Sequence, residues 1–319
     1  MAARGTDARL DALSPLRTAP AAEAVPGLTK ALRGKTAIVA GKAARIAADR
    51  GLTELRAEIE AAFERLLGQP TKDDPGCLGK TALGEACDTL ESMRHDLFLR
   101  GTRCVHPEPG WGETIDRSAG LRIRCLHALF RLHHEDAENE AARLLADATP
   151  QVRAGAAAAL ANGNPAAGVP LLRYKILVGD THEAVMGDAF GSLLALDPEG
   201  SVEFLTGLLQ HPDAAVADAA ALALGESRRI SAAAPLIAWS EDLLDHRVRV
   251  AYVALALLRS PAAVSHLLAQ IREGSSERAT AAARALGPFA YDPQTDTEVR
   301  SAAAGRAAVL AAYVKAQPR

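Results

Sequence analysis

Cysteine and histidine, the side chains best suited to bind a metal, form two close pairs in this sequence. Cys104 and His106 are two residues apart, and so are Cys125 and His127. Thiolates and imidazoles are preferred zinc ligands, and a tetrahedral site needs four of them together. Residues two apart on a helix, however, point roughly 200° from each other, and no Cys-x-x-Cys pair is present to anchor a structural zinc. We therefore expect buried thiols and surface histidines here, with no metal ligands and no cofactor.

Two Gly-Lys-Thr triplets, at residues 34–36 and 79–81, are the other pattern that suggests chemistry. A phosphate-binding loop needs a further glycine five positions before the last one, where this chain has Thr29 and Asp74. No strand is predicted before either triplet to position a nest of backbone N–H groups. The triplets therefore indicate helix starts. No spacing of serine, histidine and aspartate suggests a nucleophile with its base either, and we assign no catalytic residue.

The segment from Phe98 to Asp116 departs most from the rest of the chain, because it holds two prolines and three glycines. Long ordered loops are often functional, and a tryptophan rimmed by arginine and carboxylate suits a protein-binding hot spot. The candidate protein-binding residues are Arg100, Arg103, Glu108, Trp111, Asp116 and, on the next helix, Arg122. A structural alternative is open. Trp111 would then fold back over the helices, while Glu108 and Asp116 hold the arginines in ion pairs.

A unit of about 32 residues must position these side chains. Its anchor is an apolar residue followed eight positions later by a leucine. Five pairs fit: Leu121/Leu129, Val152/Leu160, Val185/Leu193, Val216/Leu224 and Val250/Leu258. Arg278/Leu286 continues the series with only its leucine kept. Periodicity of this kind is typical of stacked repeats, in which each unit buries its apolar face against its neighbours.

Helix boundaries are easy to recognise. A capping side chain precedes proline at 149–150, 164–165, 197–198 and 260–261, with a looser version at 211–213. Glycines 163, 179, 225, 274 and 287 stand near the ends of apolar-periodic stretches and predict helix stops. No segment alternates apolar and polar residues. The pattern predicts an all-α fold, with paired helices such as 150–161 and 165–178.

Three phrases resemble the HEAT-like repeat family, in which an aspartate, then valine-arginine, precede an alanine-leucine run. They lie at 147–153, 211–216 and 245–249. The resemblance covers residues 115–290 clearly and 20–114 weakly. It implies an armadillo-type α-solenoid of about seven to eight helix pairs. We expect a single solenoid over residues 20–319, preceded by a flexible tail at 1–19. The segment at 77–81 and the loop together resemble bacterial HEAT-repeat proteins without an assigned activity.

The family resemblance and composition together suggest a non-enzymatic scaffold or adaptor that binds another protein. The two alternatives are a HEAT-like lyase-type or cofactor-handling enzyme and a nucleic-acid binding solenoid. The net charge is −3, and carboxylates are interspersed among the arginines, which disfavours nucleic acid. No stretch suits a membrane span, and four unevenly spaced cysteines indicate reduced thiols in a cytoplasm. The partner's identity and the oligomeric state stay open.

Overall fold

The computed structural model describes residues 2–318, with side chains from residue 5 onward. Almost all regular structure in this range is helical, which confirms the all-α prediction. The chain forms two compact units, Met1–Asp188 and Ala189–Arg319. Within residues 2–318, no helix is both long enough and apolar enough to cross a bilayer.

The first unit contains ten complete helices and a short β-hairpin. The helices are α1 (Ala2–Leu13), α2 (Ala21–Leu32), α3 (Ala37–Asp49), α4 (Arg56–Leu67), α5 (Leu78–Thr89), α6 (His95–Thr102), α7 (Ala119–Arg131), α8 (Ala137–Leu144), α9 (Pro150–Leu160) and α10 (Pro165–Val178), and the strands are β1 (Pro107–Pro109) and β2 (Thr114–Asp116). α3, α5, α7 and α9 pack one after another in a row, and α2, α4 and α6 form a second row behind them. This two-row stacking of helix pairs is that of an α-solenoid.

α11 (Glu183–Leu196) contains the boundary, and the second unit repeats the same arrangement. Its helices are α12 (Pro198–Leu208), α13 (Ala214–Glu226), α14 (Ala233–Asp242), α15 (Val248–Leu258), α16 (Pro261–Glu273), α17 (Ser276–Leu286), α18 (Pro293–Ala302) and α19 (Ala307–Lys315). α13, α15, α17 and α19 form one row, and α14, α16 and α18 form the other. The α-solenoid prediction is confirmed within each unit.

The leucines of the 32-residue repeat form the core. All six, Leu129, Leu160, Leu193, Leu224, Leu258 and Leu286, are at most 2% exposed. Their apolar partners are buried in the first three pairs, whereas Val216 and Val250 are only half-buried. At the sixth position Arg278 takes the place of the apolar residue. Its guanidinium donates to Asp245 Oδ1 at 2.6 Å and to the Leu243 carbonyl at 2.5 Å, so a polar network substitutes for apolar packing there.

Side-chain caps explain most of the predicted helix starts. Asn164, Asp197, Asp213 and Ser260 each accept a hydrogen bond from a backbone N–H in the first turn of the helix that follows. Thr149 makes no such bond, although α9 begins at Pro150 as predicted. Caps of this kind satisfy backbone donors that have no partner within the helix.

Two glycines near helix ends also allow close packing between helices. Gly225, predicted as a helix stop, lies inside α13, where a Cβ atom would overlap the Ala254 carbonyl oxygen on α15. Gly79, in the second Gly-Lys-Thr triplet, lies in the first turn of α5, where a Cβ would stand 2.7 Å from the Ala37 carbonyl oxygen on α3. The helix-start interpretation of that triplet is confirmed, and its glycine lets two helices approach closely.

Two segments differ from expectation. Residues 1–19, predicted as a flexible tail, include α1, and Lys42 donates to the Leu10 carbonyl oxygen at 2.6 Å. The irregular segment begins later than Phe98, because α6 extends to Thr102 and buries the Phe98 ring. The boundaries of a single solenoid at 20–319 stay a prediction.

Candidate interaction hairpin

The irregular segment is a two-stranded antiparallel hairpin between α6 and α7. Pro107 pairs with Asp116, Glu108 with Ile115, and Pro109 with Thr114. The Gly110 N–H donates to the Glu113 carbonyl oxygen at 2.7 Å and closes the tip. Gly112 has φ +84°, a left-handed conformation that glycine adopts without strain. We call residues 107–116 the interaction hairpin. Neither strand is predicted from the sequence, because prolines begin and end β1.

Trp111 stands at the tip of the interaction hairpin with its side chain in water. Its relative exposure is 105%, the highest among the large apolar residues of residues 5–318 that are exposed. The structural alternative, in which the ring folds back over the helices, is therefore wrong for Trp111. An exposed indole of this size leaves a large apolar surface in contact with water.

The base of the hairpin is held rigidly by Asp116 and Arg122. Asp116 Oδ1 accepts hydrogen bonds from the His106 backbone N–H at 2.9 Å and from the Ser118 hydroxyl at 2.6 Å. Asp116 Oδ2 forms an ion pair with Arg122, whose side chain is 3% exposed. Arg122 Nη2 also donates to Asp147 Oδ1 at 3.1 Å. One buried guanidinium thus ties the hairpin to α7 and to the turn before α9.

These bonds keep Asp116 ionised. Burial alone would raise the pKa of its carboxyl group, because it disfavours the charged form. Hydrogen bonds from Ser118, from Arg122 and from the His106 backbone outweigh burial and lower the pKa of Asp116 to about 2. The carboxylate therefore carries its charge at every pH at which the fold is normally studied, and its role is structural.

Glu108 fastens the other strand to the helix α5 region. Its Oε1 accepts a hydrogen bond from the Gly76 backbone N–H at 2.5 Å and lies 3.3 Å from His106 Nε2. Its Oε2 lies 3.7 Å from Arg117 Nε. The expected ion pair with one of the three arginines is therefore present for Asp116, whereas Glu108 binds His106, Arg117 and the Gly76 backbone instead.

Arg100 and Arg103 do not contact these two carboxylates. Arg100 Nη1 lies 3.5 Å from Glu64 Oε1 on α4. Arg103 pairs with Glu140 on α8, which is 4% exposed and also accepts from the Thr102 hydroxyl at 2.9 Å. Of the six candidate residues, the structure brings Asp116 and Arg122 into contact, places Glu108 and Trp111 on the same hairpin, and leaves Arg100 and Arg103 on the neighbouring helix surface.

Asp147 and Glu140 are the partners that the sequence analysis missed. Asp147 carries a usable signal, because it opens the first of the three repeat phrases. The aspartates of the repeat turns recur as arginine partners: Arg153 donates to Asp180 at 2.7 Å, and Arg278 donates to Asp245. Glu140 carries no comparable signal in the sequence.

Three arginines that could contact a nucleic acid are paired with carboxylates. Arg153 lies 2.7 Å from Asp180, Arg229 lies 3.2 Å from Glu199, and Arg247 lies 3.7 Å from Asp218. A phosphate track needs positive charge that is not already neutralised. This pairing disfavours the nucleic-acid alternative within each unit. Among residues 2–318, no group of three or more histidine, cysteine or acidic side chains is placed to hold a metal.

Comparison with known proteins identifies the repeat. The family model for HEAT repeats matches residues 141–224, and no curated protein matches the sequence. An engineered protein of known crystal structure is 20% identical, with a TM-score of 0.39 over 93% of this chain and 87% of that one. The complex of CpcE and CpcF of phycocyanin lyase from Nostoc sp. PCC7120 is 15% identical, with a TM-score of 0.34 over 86% of this chain and 92% of that one. Residues 141–224 are therefore similar to HEAT repeats.

Proposed function

We propose that this chain is a non-enzymatic cytoplasmic adaptor that binds another protein through the interaction hairpin. One observation carries the proposal: Trp111 is fully exposed on a hairpin whose base is fixed by buried ion pairs. A preorganised anchor loses little conformational entropy on binding, and tryptophan is among the commonest hot-spot residues.

The surroundings of the hairpin suit a protein partner. Arg100 and Arg103 lie on exposed parts of α6 and of the turn after it, and each is balanced by a glutamate. Mixed charge on an exposed surface is compatible with the polar rim of a protein interface. HEAT repeats themselves build extended surfaces that suit such contacts.

Affinity capture with three versions of the full chain tests this proposal. Trp111→Ala removes the indole, and Tyr174→Ala removes an aromatic ring that is 67% exposed on α10, far from the hairpin in sequence. We expect wild type and Tyr174→Ala to retain the same protein and Trp111→Ala to lose it. With the purified partner, loss of a hot-spot tryptophan should raise Kd by at least about 30-fold, which corresponds to about 2 kcal/mol.

Thermal unfolding of the same variants separates binding from folding. Because Trp111 faces solvent, Trp111→Ala should leave Tm unchanged. Trp239→Ala, at a tryptophan only 4% exposed, should lose about 3 to 5 kcal/mol. The proposal is wrong if Trp111→Ala retains every protein that the wild type captures. It is also wrong if the captured material is DNA or RNA whose binding falls steeply with salt.

A further inference from the structure

Cys77 and Cys104 come from different segments and meet beside the interaction hairpin. Cys77 immediately precedes α5, and Cys104 lies two residues after the end of α6. The Gly76 N–H, next to Cys77, donates to Glu108 Oε1 at 2.5 Å, so the segment before α5 packs against the segment after α6. Each thiol is also the largest influence on the pKa of the other. Cys77 is fully buried, whereas Cys104 is only half-buried. The two sulphurs are therefore neighbours with unequal access to solvent.

A cavity of about 450 Å³ reaches Cys104 from the surface. Gln69, Lys80, Arg100, Arg103 and Cys104 line it, and Cys77 does not. A small solute can enter a space of this size and meet the Cys104 sulphur. The wall is basic, which favours a thiolate over a thiol at this position.

Lys80 is the most confined of these basic groups. It is 2% exposed, and its Nζ lies 3.3 Å from the Gln69 carbonyl oxygen and 3.3 Å from His106 Nδ1. Interaction with the Cys77 thiol and the charges of Lys80 and Arg122 outweigh burial and the nearby Asp116, and they lower the pKa of the Cys104 thiol to about 7. The same interaction, together with burial, raises the pKa of Cys77. Cys104 therefore holds the negative charge while Cys77 keeps its proton.

The other two cysteines provide an internal contrast. Cys87 and Cys125 are fully buried, and burial raises the pKa of both thiols. Neither lines the cavity. Reactivity of cysteines follows the thiolate fraction and access, so both should be inert under conditions in which Cys104 reacts.

We propose that Cys104 is a hydroperoxide-reactive thiol and that Cys77 is its resolving partner. The Cys104 thiolate attacks the terminal peroxide oxygen, the O–O bond breaks, and a proton from solvent completes the alcohol or water that leaves. Cys104 is then a sulfenic acid. The Cys77 sulphur attacks the Cys104 sulphur, the S–OH bond breaks, and hydroxide leaves with the Cys77 proton as water. An external dithiol restores both thiols. This inference does not rest on the binding role of Trp111.

Peroxide treatment of the reduced full chain tests the proposal directly. With one equivalent of hydrogen peroxide, we expect peptide mapping to show one disulfide, between Cys77 and Cys104, with Cys87 and Cys125 still alkylatable. Cys77→Ser should stop at a sulfenic acid on Cys104 that dimedone traps. Cys87→Ser, the matched control, should form the disulfide as the wild type does. The proposal is overturned if the first disulfide in the wild-type chain involves Cys87 or Cys125, or if Cys104 is not oxidised. This result is read from the wild-type chain, so it does not depend on whether a variant folds.

Alkylation rates test whether Cys104 is partly a thiolate at neutral pH. At pH 7 a thiol of pKa 7 is about half thiolate, against about 3% for an ordinary cysteine. A thiolate of lower pKa is a weaker nucleophile. The alkylation rate of Cys104 with iodoacetamide should therefore exceed that of an ordinary cysteine by only about threefold. Lys80→Met should lower the rate at pH 7 and move its pH profile upward, and Lys80→Arg should restore much of it. A wild-type Cys104 that reacts no faster than free N-acetylcysteine contradicts the proposal.

Discussion

Replacing Arg122 with methionine tests the anchor of the hairpin most directly. Methionine retains much of the apolar stem and removes the guanidinium, so the change reports lost charge and hydrogen bonds rather than a cavity. Asp116 and Asp147 would remain, 22% and 14% exposed, without their shared cation. Removing one partner of a buried pair costs about 3 to 5 kcal/mol. Because both carboxylates keep other hydrogen-bond donors, we expect the lower end, about 3 kcal/mol.

Urea unfolding measures this loss. With a slope of about 3 kcal/mol per M, the midpoint should fall by about 1 M. Arg45→Met is the matched control in the same unit, because Arg45 and Glu85 are 3.7 Å apart and their side chains are 52% and 38% exposed. An exposed pair of that kind contributes at most about 1 kcal/mol. Equal midpoints for the two variants would refute the view that burial makes the Arg122 pairs strong.

Three further results are expected. Leu224→Ala should cost about 2 to 5 kcal/mol in urea unfolding, and Val216→Ala, at a half-buried position of the same helix, should cost less. Gly225→Ala should lower Tm, because the added methyl group would overlap the Ala254 backbone on α15, and an unchanged Tm would show that the two helices can move apart. The folded-state pKa of Asp116, about 2, lies below its ordinary value, so its stabilising contribution is complete above about pH 4 and is lost as pH falls toward 2. Asp116→Asn should remove that part of the acid dependence, and an unaltered pH profile would contradict the assignment.

Sequence predicted the helices well because their signals are local. Helix α10 has the predicted bounds, and α9 begins at the predicted Pro150. Caps, prolines and apolar spacing act within one or two turns, so they can be recognised without knowledge of the partner helix. The repeat leucines could be identified for the same reason, because their regular spacing in the sequence indicates that they are buried.

Contacts between distant segments could be predicted only in part. The pairing of Asp116 with Arg122 was among the expected alternatives, because the two are six residues apart across one turn. The pairing of Arg103 with Glu140 depends on how α6 packs against α8, which no local pattern specifies. The proximity of Cys77 and Cys104 depends on the same kind of packing, and the sequence paired Cys104 only with His106.

The open tip of the interaction hairpin also bears on how this protein can diversify. A Cβ atom added at Gly112 would meet no other atom within 4 Å, and residues 111–114 all face solvent. Apart from Gly112, whose φ of +84° favours glycine, substitutions and short insertions there meet no packed neighbour, while the Arg122 anchor keeps the strands in register. The tip can therefore change its sequence at the other positions with little loss of stability, and it is the natural place to graft a foreign recognition sequence onto this chain.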